Sequence, residues 1–173
     1  MAEVDRLVVE KSFSWVHANP ESAACLGGIA INLSGQSLGK EVILEQIREA
    51  LHRTGIDPKM VGFEVTETAA IANLDRAVTI IEGIREMGCR VALDDFGTGM
   101  SSYSYLKRLP VDYLKIDGGL VRDILSDPVD HAMVRAINKL GQLLGKETIA
   151  EFVETNDVAH ELRKIGVNHL QGY

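Results

Sequence analysis

The sequence predicts an α/β domain of serial β–α units, either a doubly wound sheet or an incomplete (β/α)8 barrel. Three observations carry that expectation. Short apolar runs of strand length alternate with longer stretches of helical period. No Pro/Gly/Ser-rich linker or charge block interrupts them, so residues 1–173 read as one continuous domain. One strand after another ends in a polar residue, each about one β–α unit after the last. A complete barrel needs about 250 residues, and the chain has 173, enough for part of one.

A first helix is expected from Val4 to about His17, stopped by Asn19-Pro20 because a residue before proline is pushed out of helical geometry. Gly27 to Leu33 reads as strand. Leu38, Val42, Ile43, Ile47 and Leu51 share one helical face, and Val61 to Val65 is the next strand. Ile71, Leu74, Val78, Ile81 and Ile84 mark a further amphipathic helix, followed by a strand at Arg90 to Asp94. A short helical piece near Ser102 to Lys107 precedes a strand at Asp112 to Ile116. Asp127-Pro128 opens a helix as N-cap and first-turn proline, and Met133, Ile137, Leu140 and Leu144 continue it. Thr148 to Phe152 is strand, Asn156 to Lys164 helix, and Val167 to Leu170 a sixth strand.

Composition narrows the function classes. Hydrophobic residues at 46% and charged residues at 25% suit a folded domain. Lys and Arg total 18 against 25 Asp and Glu, a net charge of −7, which lacks the basic excess that phosphate-backbone binding demands. DNA or RNA polymers are therefore not expected as partners. No apolar run reaches the roughly 20 residues of a membrane span, and Glu3 and Asp5 stand where a signal peptide would be basic. A cytoplasmic segment without membrane contact is expected. Cys25 and Cys89 show no metal or disulfide spacing and read as two buried reduced thiols. The five histidines form no HExxH or His-Asp pair, and Trp15 is expected to pack the first helix onto the domain.

The strand-end residues are Asn32, Glu64, Asp94 with Asp95, Lys115 with Asp117, Glu151, and Gln171. In a parallel sheet all would surface at one end, where α/β barrels place catalysis. Strand parity puts Asn32 with Gly28 and Ala30, Glu64 with Gly62, and Asp94 with Ala92, leaving the bulky Ile, Val, Leu and Phe residues for the helices; Glu151 breaks the trend, with Ile149 and Glu147 on its face. Several carboxylates gathered without a cation repel one another. Oxygen ligands favour Mg²⁺ or Mn²⁺ over zinc, and adjacent Asp94 and Asp95 suit a two-metal site for phosphoryl displacement. A phosphodiester is the natural substrate class. The alternative, solvated strand ends and helix caps, is strained by six successive positions. Gly97 and Gly99 resemble a dinucleotide-binding turn, but Ser occupies position 102 and two aspartates flank it.

Six segments, in order and spacing, resemble the EAL-domain family of cyclic di-GMP phosphodiesterases. They are Ile31-Asn32-Leu33-Ser34, Phe63 through Thr68, Asp94 through Ser102, Leu109 through Asp117, Ala150 through Thr155, and Gln171-Gly172-Tyr173. The resemblance implies a (β/α)8-type barrel, incomplete in this chain, that hydrolyses one phosphodiester bond of cyclic di-GMP to give linear pGpG. It implies that Asn32, Glu64 and Asp94 hold a first metal, that Asp94 bridges, and that Asp95 and Glu151 serve the second. Lys115 positions or deprotonates the attacking water, Asp117 and Glu154 support it, and Gln171 orients it. Glu67 anchors the loop after Asp94-Asp95, a segment that also contributes to dimerisation in the family.

The family's Glu-Ala-Leu strand is expected upstream of the first helix and its final helix beyond Tyr173, so the resemblance reads the chain as truncated at both ends. Phe152 stands where the family usually has Gly, and strand parity turns its side chain away from Glu151. Alternative readings are a receptor that binds cyclic di-GMP without cleaving it, and a regulatory or dimerisation segment. The parent is expected to carry a cyclase-like or sensory domain. The chain alone is expected to be a weak catalyst and to associate as a homodimer or through open strand edges.

Overall fold

The computed structural model describes residues 2–97 and 103–173, and its strands and helices alternate in the predicted sequence. Two compact units are formed, Met1–Val91 with Arg108–Pro110, and Ala92–Lys107 with Val111–Tyr173.

In the first unit, helix α1 (Ala2–Ala18) ends just before Asn19-Pro20, and a short unpredicted helix α2 (Pro20–Ala24) starts on the proline, whose missing N–H costs nothing there. Val9, Phe13 and Val16 are the buried stripe of α1, while Trp15 remains 48% exposed. The expected packing role of Trp15 is therefore wrong: it lies two residues from Phe13, too far round the helix to share its face. Strand β1 (Ile29–Leu33) is followed by helix α3 (Val42–Thr54), closed by Gly55 in left-handed geometry at φ 66°. The helix begins later than Leu38 because Ser34 to Lys40 forms hydrogen-bonded turns. Leu38 is nevertheless 3% exposed, which is why it fits the helical period.

Strand β2 (Val61–Thr66) runs parallel to β1 in the register Ile31 to Phe63 and Asn32 to Glu64. Ile31, Leu33, Val61, Phe63 and Val65 are buried and their alternates are not, as strand parity predicts. The single helix expected next is two, α4 (Glu67–Ala72) and α5 (Leu74–Glu86). Asn73 breaks them in a non-helical conformation and caps α5 by accepting from the Arg76 amide.

Strand β3 (Arg90–Phe96) enters the second unit from Ala92 on and pairs in parallel with β4 (Tyr113–Ile116). Asp117 caps a short unpredicted helix α6 (Gly118–Arg122), and Asp127 caps α7 (Pro128–Leu143) through the Val129 and Asp130 amides. Strand β5 (Glu147–Ala150) pairs with β4, helix α8 (Asn156–Ile165) follows, and β6 (His169–Leu170) pairs with β5. A buried polar knot fixes this order. The Thr148 hydroxyl donates to Asn138 at 2.6 Å, its amide donates to Asn168 at 2.9 Å, and Asn138 donates to the Ile165 carbonyl at 3.1 Å. The short helical piece expected near Ser102 to Lys107 is a 3₁₀ helix at Tyr103–Lys107. Gly99, Ser101 and Ser102 lie outside the described residues.

Two histidines contact glutamates that no sequence motif pairs them with. His169 lies 2.7 Å from Glu147, and His131 lies 3.0 Å from Glu161, which also receives Lys164 at 3.0 Å. The His131 and Lys164 hydrogen bonds hold the Glu161 carboxyl below its usual range. A depressed carboxyl contributes stability above its unfolded pKa and loses it as pH falls through the folded one. Glu161→Gln is thus expected to lower the unfolding midpoint at pH 7 but to match the parent at strongly acid pH. A difference independent of pH in thermal melts would refute this.

Cys89 is buried and its thiol is pushed up to about 12 by burial, whereas Cys25 is exposed, so only one of the two thiols expected inside is there. Among the described residues no helix is long and apolar enough to cross a membrane.

Candidate metal centre

In the first unit the end of β1 presents Asn32 directly beside Glu64 of β2, as register partners on the face opposite the buried aliphatic residues. Asn32 is exposed and Glu64 half-buried. Glu67, three residues further, opens α4 and is 5% exposed. The loop it was expected to anchor lies outside the described residues from position 98 on.

In the second unit Lys115 is the organising group. It lies on β4 at 2% exposure, its ammonium 2.9 Å from Asp94 Oδ1 and 2.8 Å from Glu151 Oε1. Asp94 Oδ1 is buried and, despite that proximity, takes no hydrogen bond of good geometry. Asp94, Asp95 and Glu151 each offer a carboxylate oxygen within 4.8 Å of the others. Gln171 adjoins Glu151, since its amide donates to the Ala150 carbonyl at 2.8 Å and its own carbonyl accepts from Val153. A cleft of about 300 Å³ opens there, lined by Glu151, Phe152, Gln171, Gly172 and Tyr173.

Two adjacent aspartates cannot face one site from a regular strand, because neighbours alternate. The ladder between β3 and β4 shifts register between Leu93 and Phe96, and Asp95 adopts φ 56°. That irregularity buries both Leu93 and Phe96, three residues apart, and brings Asp94 and Asp95 together. A non-glycine residue at positive φ costs of order 1–3 kcal/mol, a strain typical of functional positions. Burial, and after it the charges of Asp94 and Asp117, push the Asp95 carboxyl above its usual range, with Lys115 pulling the other way.

Phe152 departs from its expected placement. Strand β5 ends at Ala150, and Phe152 takes φ 53°, so parity does not govern it. Its ring covers Gly118, with the Arg122 guanidinium 5.9 Å from the ring centroid, and it lines the same cleft as Glu151. A side chain at 118 would collide with that ring, which explains the glycine there. Asp117 acts on the cluster through its charge, and one of its oxygens accepts from the Gly119 amide at 2.8 Å. Glu154 is exposed.

The donor set is all oxygen, with three carboxylates converging, and it fits a hard divalent cation. One buried carboxylate lies outside every sequence motif. Asp5 of α1, 6% exposed, accepts from the Ser34 amide and hydroxyl and from the Ser37 hydroxyl.

Comparison with known proteins gives a consistent answer. A family described as EAL domain matches residues 1–173. Cyclic di-GMP phosphodiesterase PdeB of Shewanella oneidensis is 42% identical over 175 residues, covering 100% of the chain and 20% of that protein. The chain thus spans about a fifth of that relative's length. The EAL domain of Mycobacterium smegmatis DcpA superposes with a TM-score of 0.91 at 32% identity, over 99% of this chain and 77% of that one. The PaMucR phosphodiesterase in complex with c-di-GMP does so at 0.89 and 35% identity, over 98% and 69%.

Proposed function

The chain belongs to the EAL-domain family, and on that premise we propose that it is the catalytic part of a divalent-metal-dependent phosphodiesterase that opens cyclic di-GMP to linear pGpG. The observation that carries this is the buried Lys115 ammonium between Asp94 and Glu151, at the centre of a carboxylate cluster and beside the Glu151–Gln171 cleft. Matching motif positions assigns Asn32, Glu64 and Asp94 to one cation and Asp95 and Glu151 to a second, with Asp94 shared. The register pairing of Asn32 with Glu64 and the convergence of Asp94, Asp95 and Glu151 support this division. Mg²⁺ or Mn²⁺ suits such donors, and when bound it supplies Lewis-acid stabilisation of charge on the phosphoryl oxygens.

In the reaction a water oxygen bonds to phosphorus, the bond from phosphorus to the 3′ oxygen breaks, and the phosphate stays on the 5′ side. One water proton must leave and the 3′ oxygen must gain one. Held between two carboxylates, Lys115 is an ammonium, which donates and does not accept; its task is to orient water and oppose negative charge. Glu151 and Asp95 are the proton acceptors at hand. Gln171, pinned through its backbone to Ala150 and Val153, presents an amide to the same cleft. Asp117 raises the charge density at Asp95 and fixes the turn into α6, while the motif match assigns Glu154 to support Lys115 and its water. Glu67 is assigned to hold the loop that follows Asp94-Asp95.

A ligand-type residue at each of these motif positions favours catalysis over a receptor role. Chromatography of cyclic di-GMP incubated with the protein is expected to yield pGpG with Mg²⁺ or Mn²⁺ and none after chelation. Turnover that survives chelation would remove the metal from the proposal, and binding without pGpG would favour a receptor.

A further inference from the structure

We infer that Asp5, on the first turn of α1, is a positioning residue for the end of β1 and so for the Asn32 amide. This rests on the reading of Asn32 as a metal ligand. Asp5 sits at 6% exposure, and a carboxylate removed from water persists only where donors replace it. Here one oxygen, Oδ2, accepts from the Ser34 amide at 2.8 Å, the Ser34 hydroxyl at 2.6 Å and the Ser37 hydroxyl at 2.6 Å. Hydrogen bonds to an ionised acceptor are short and roughly twice as strong as neutral ones.

The target of these bonds matters. Ser34 lies two residues beyond Asn32, with the buried Leu33 between them. The turn that Asp5 grips is closed internally by the Ser37 and Leu38 amides donating to the Ser34 carbonyl. It also abuts α4, the helix that follows Glu64: a Cβ on Gly35 would stand 3.3 Å from that of Ala69. The strand end is therefore held from the helix side by Asp5 and cannot rotate its exposed face freely. An amide ligand carries no charge to draw a cation, so its contribution depends on being held in place.

The test uses Mn²⁺ as probe and the free Mn²⁺ electron paramagnetic resonance signal as readout, on the whole chain. Asp5→Asn is expected to raise the Mn²⁺ concentration for half-saturation about 10-fold, the low end for loss of an outer partner. Asn32→Ala should weaken binding too, and adding Asp5→Asn to it should change the value less than about two-fold, because both act on one ligand. Val9→Ala, a buried α1 position, should lower the unfolding midpoint and leave the Mn²⁺ titration where it was. Ser37→Ala removes one donor and should give a smaller shift in the same direction; it carries the test if Asp5→Asn does not fold. Independent, additive losses from Asp5→Asn and Asn32→Ala, or an equal shift from Val9→Ala, would reduce Asp5 to a structural role and overturn the inference. An Asn32→Ala chain that binds Mn²⁺ like the parent would overturn the ligand assignment itself, and the inference with it.

Discussion

Asp94→Asn is expected to cost at least about 100-fold in pGpG formation while the chain stays folded. The size follows from what the carboxylate does in the proposed site. As a ligand to both cations Asp94 would hold the charge that stabilises the transition state by several kcal/mol; each 1.36 kcal/mol is about tenfold in rate. The substitution is nearly isosteric, so packing around Leu93 and Phe96 has no reason to change. It also leaves the Lys115–Glu151 ion pair, at 2.8 Å, in place. The Mn²⁺ titration should weaken in parallel with the rate, and higher Mn²⁺ should recover only part of it. A variant that turns over cyclic di-GMP at the parent rate would exclude Asp94 as a metal ligand.

The periodicity of β1 and β2 made their burial and their exposed ends readable in advance, because a two-residue repeat has only two faces. The helix from Asp127 was equally legible, since an N-cap followed by proline leaves little choice. What the sequence hid were features set by non-local contacts. The break at Asn73 is an exception: its N-cap bond to the Arg76 amide is local, but the apolar pattern running on through it masked the signal. The irregularity at Asp95 is a matter of ladder register against β4, invisible in β3 alone. In the sequence Asp5 reads only as an acid near the N-terminus, because its partners lie 29 and 32 residues away. The strand-end carboxylates were found because each terminates an apolar run. Lys115 fell on the expected face, but that it would be buried between Asp94 and Glu151 could be seen only with β3, β4 and the end of β5 together.

Lys115→Ala is expected to separate catalysis from metal binding. An ammonium does not coordinate a cation, so the Mn²⁺ half-saturation should move less than about threefold, or even improve as a competing positive charge is lost. Turnover at saturating metal should fall about 10²–10⁴-fold, the range for a positioned group that handles the reacting proton or water. Stability provides a second, independent readout. Removing a cation 2% exposed strands Asp94 and Glu151 beside Asp95 with less to offset their repulsion. Deleting one member of a buried pair costs about 3–5 kcal/mol when nothing replaces it; these carboxylates keep some solvent, at 13% and 12% exposure, and the loss should be smaller. A divalent cation can take the ammonium's electrostatic place but not its donor geometry. Saturating Mg²⁺ should therefore raise the unfolding midpoint of Lys115→Ala by more than that of the parent, while leaving the variant inactive. If turnover and Mn²⁺ affinity fall together by the same factor, Lys115 holds the carboxylates for the metal and has no separate part in the chemistry.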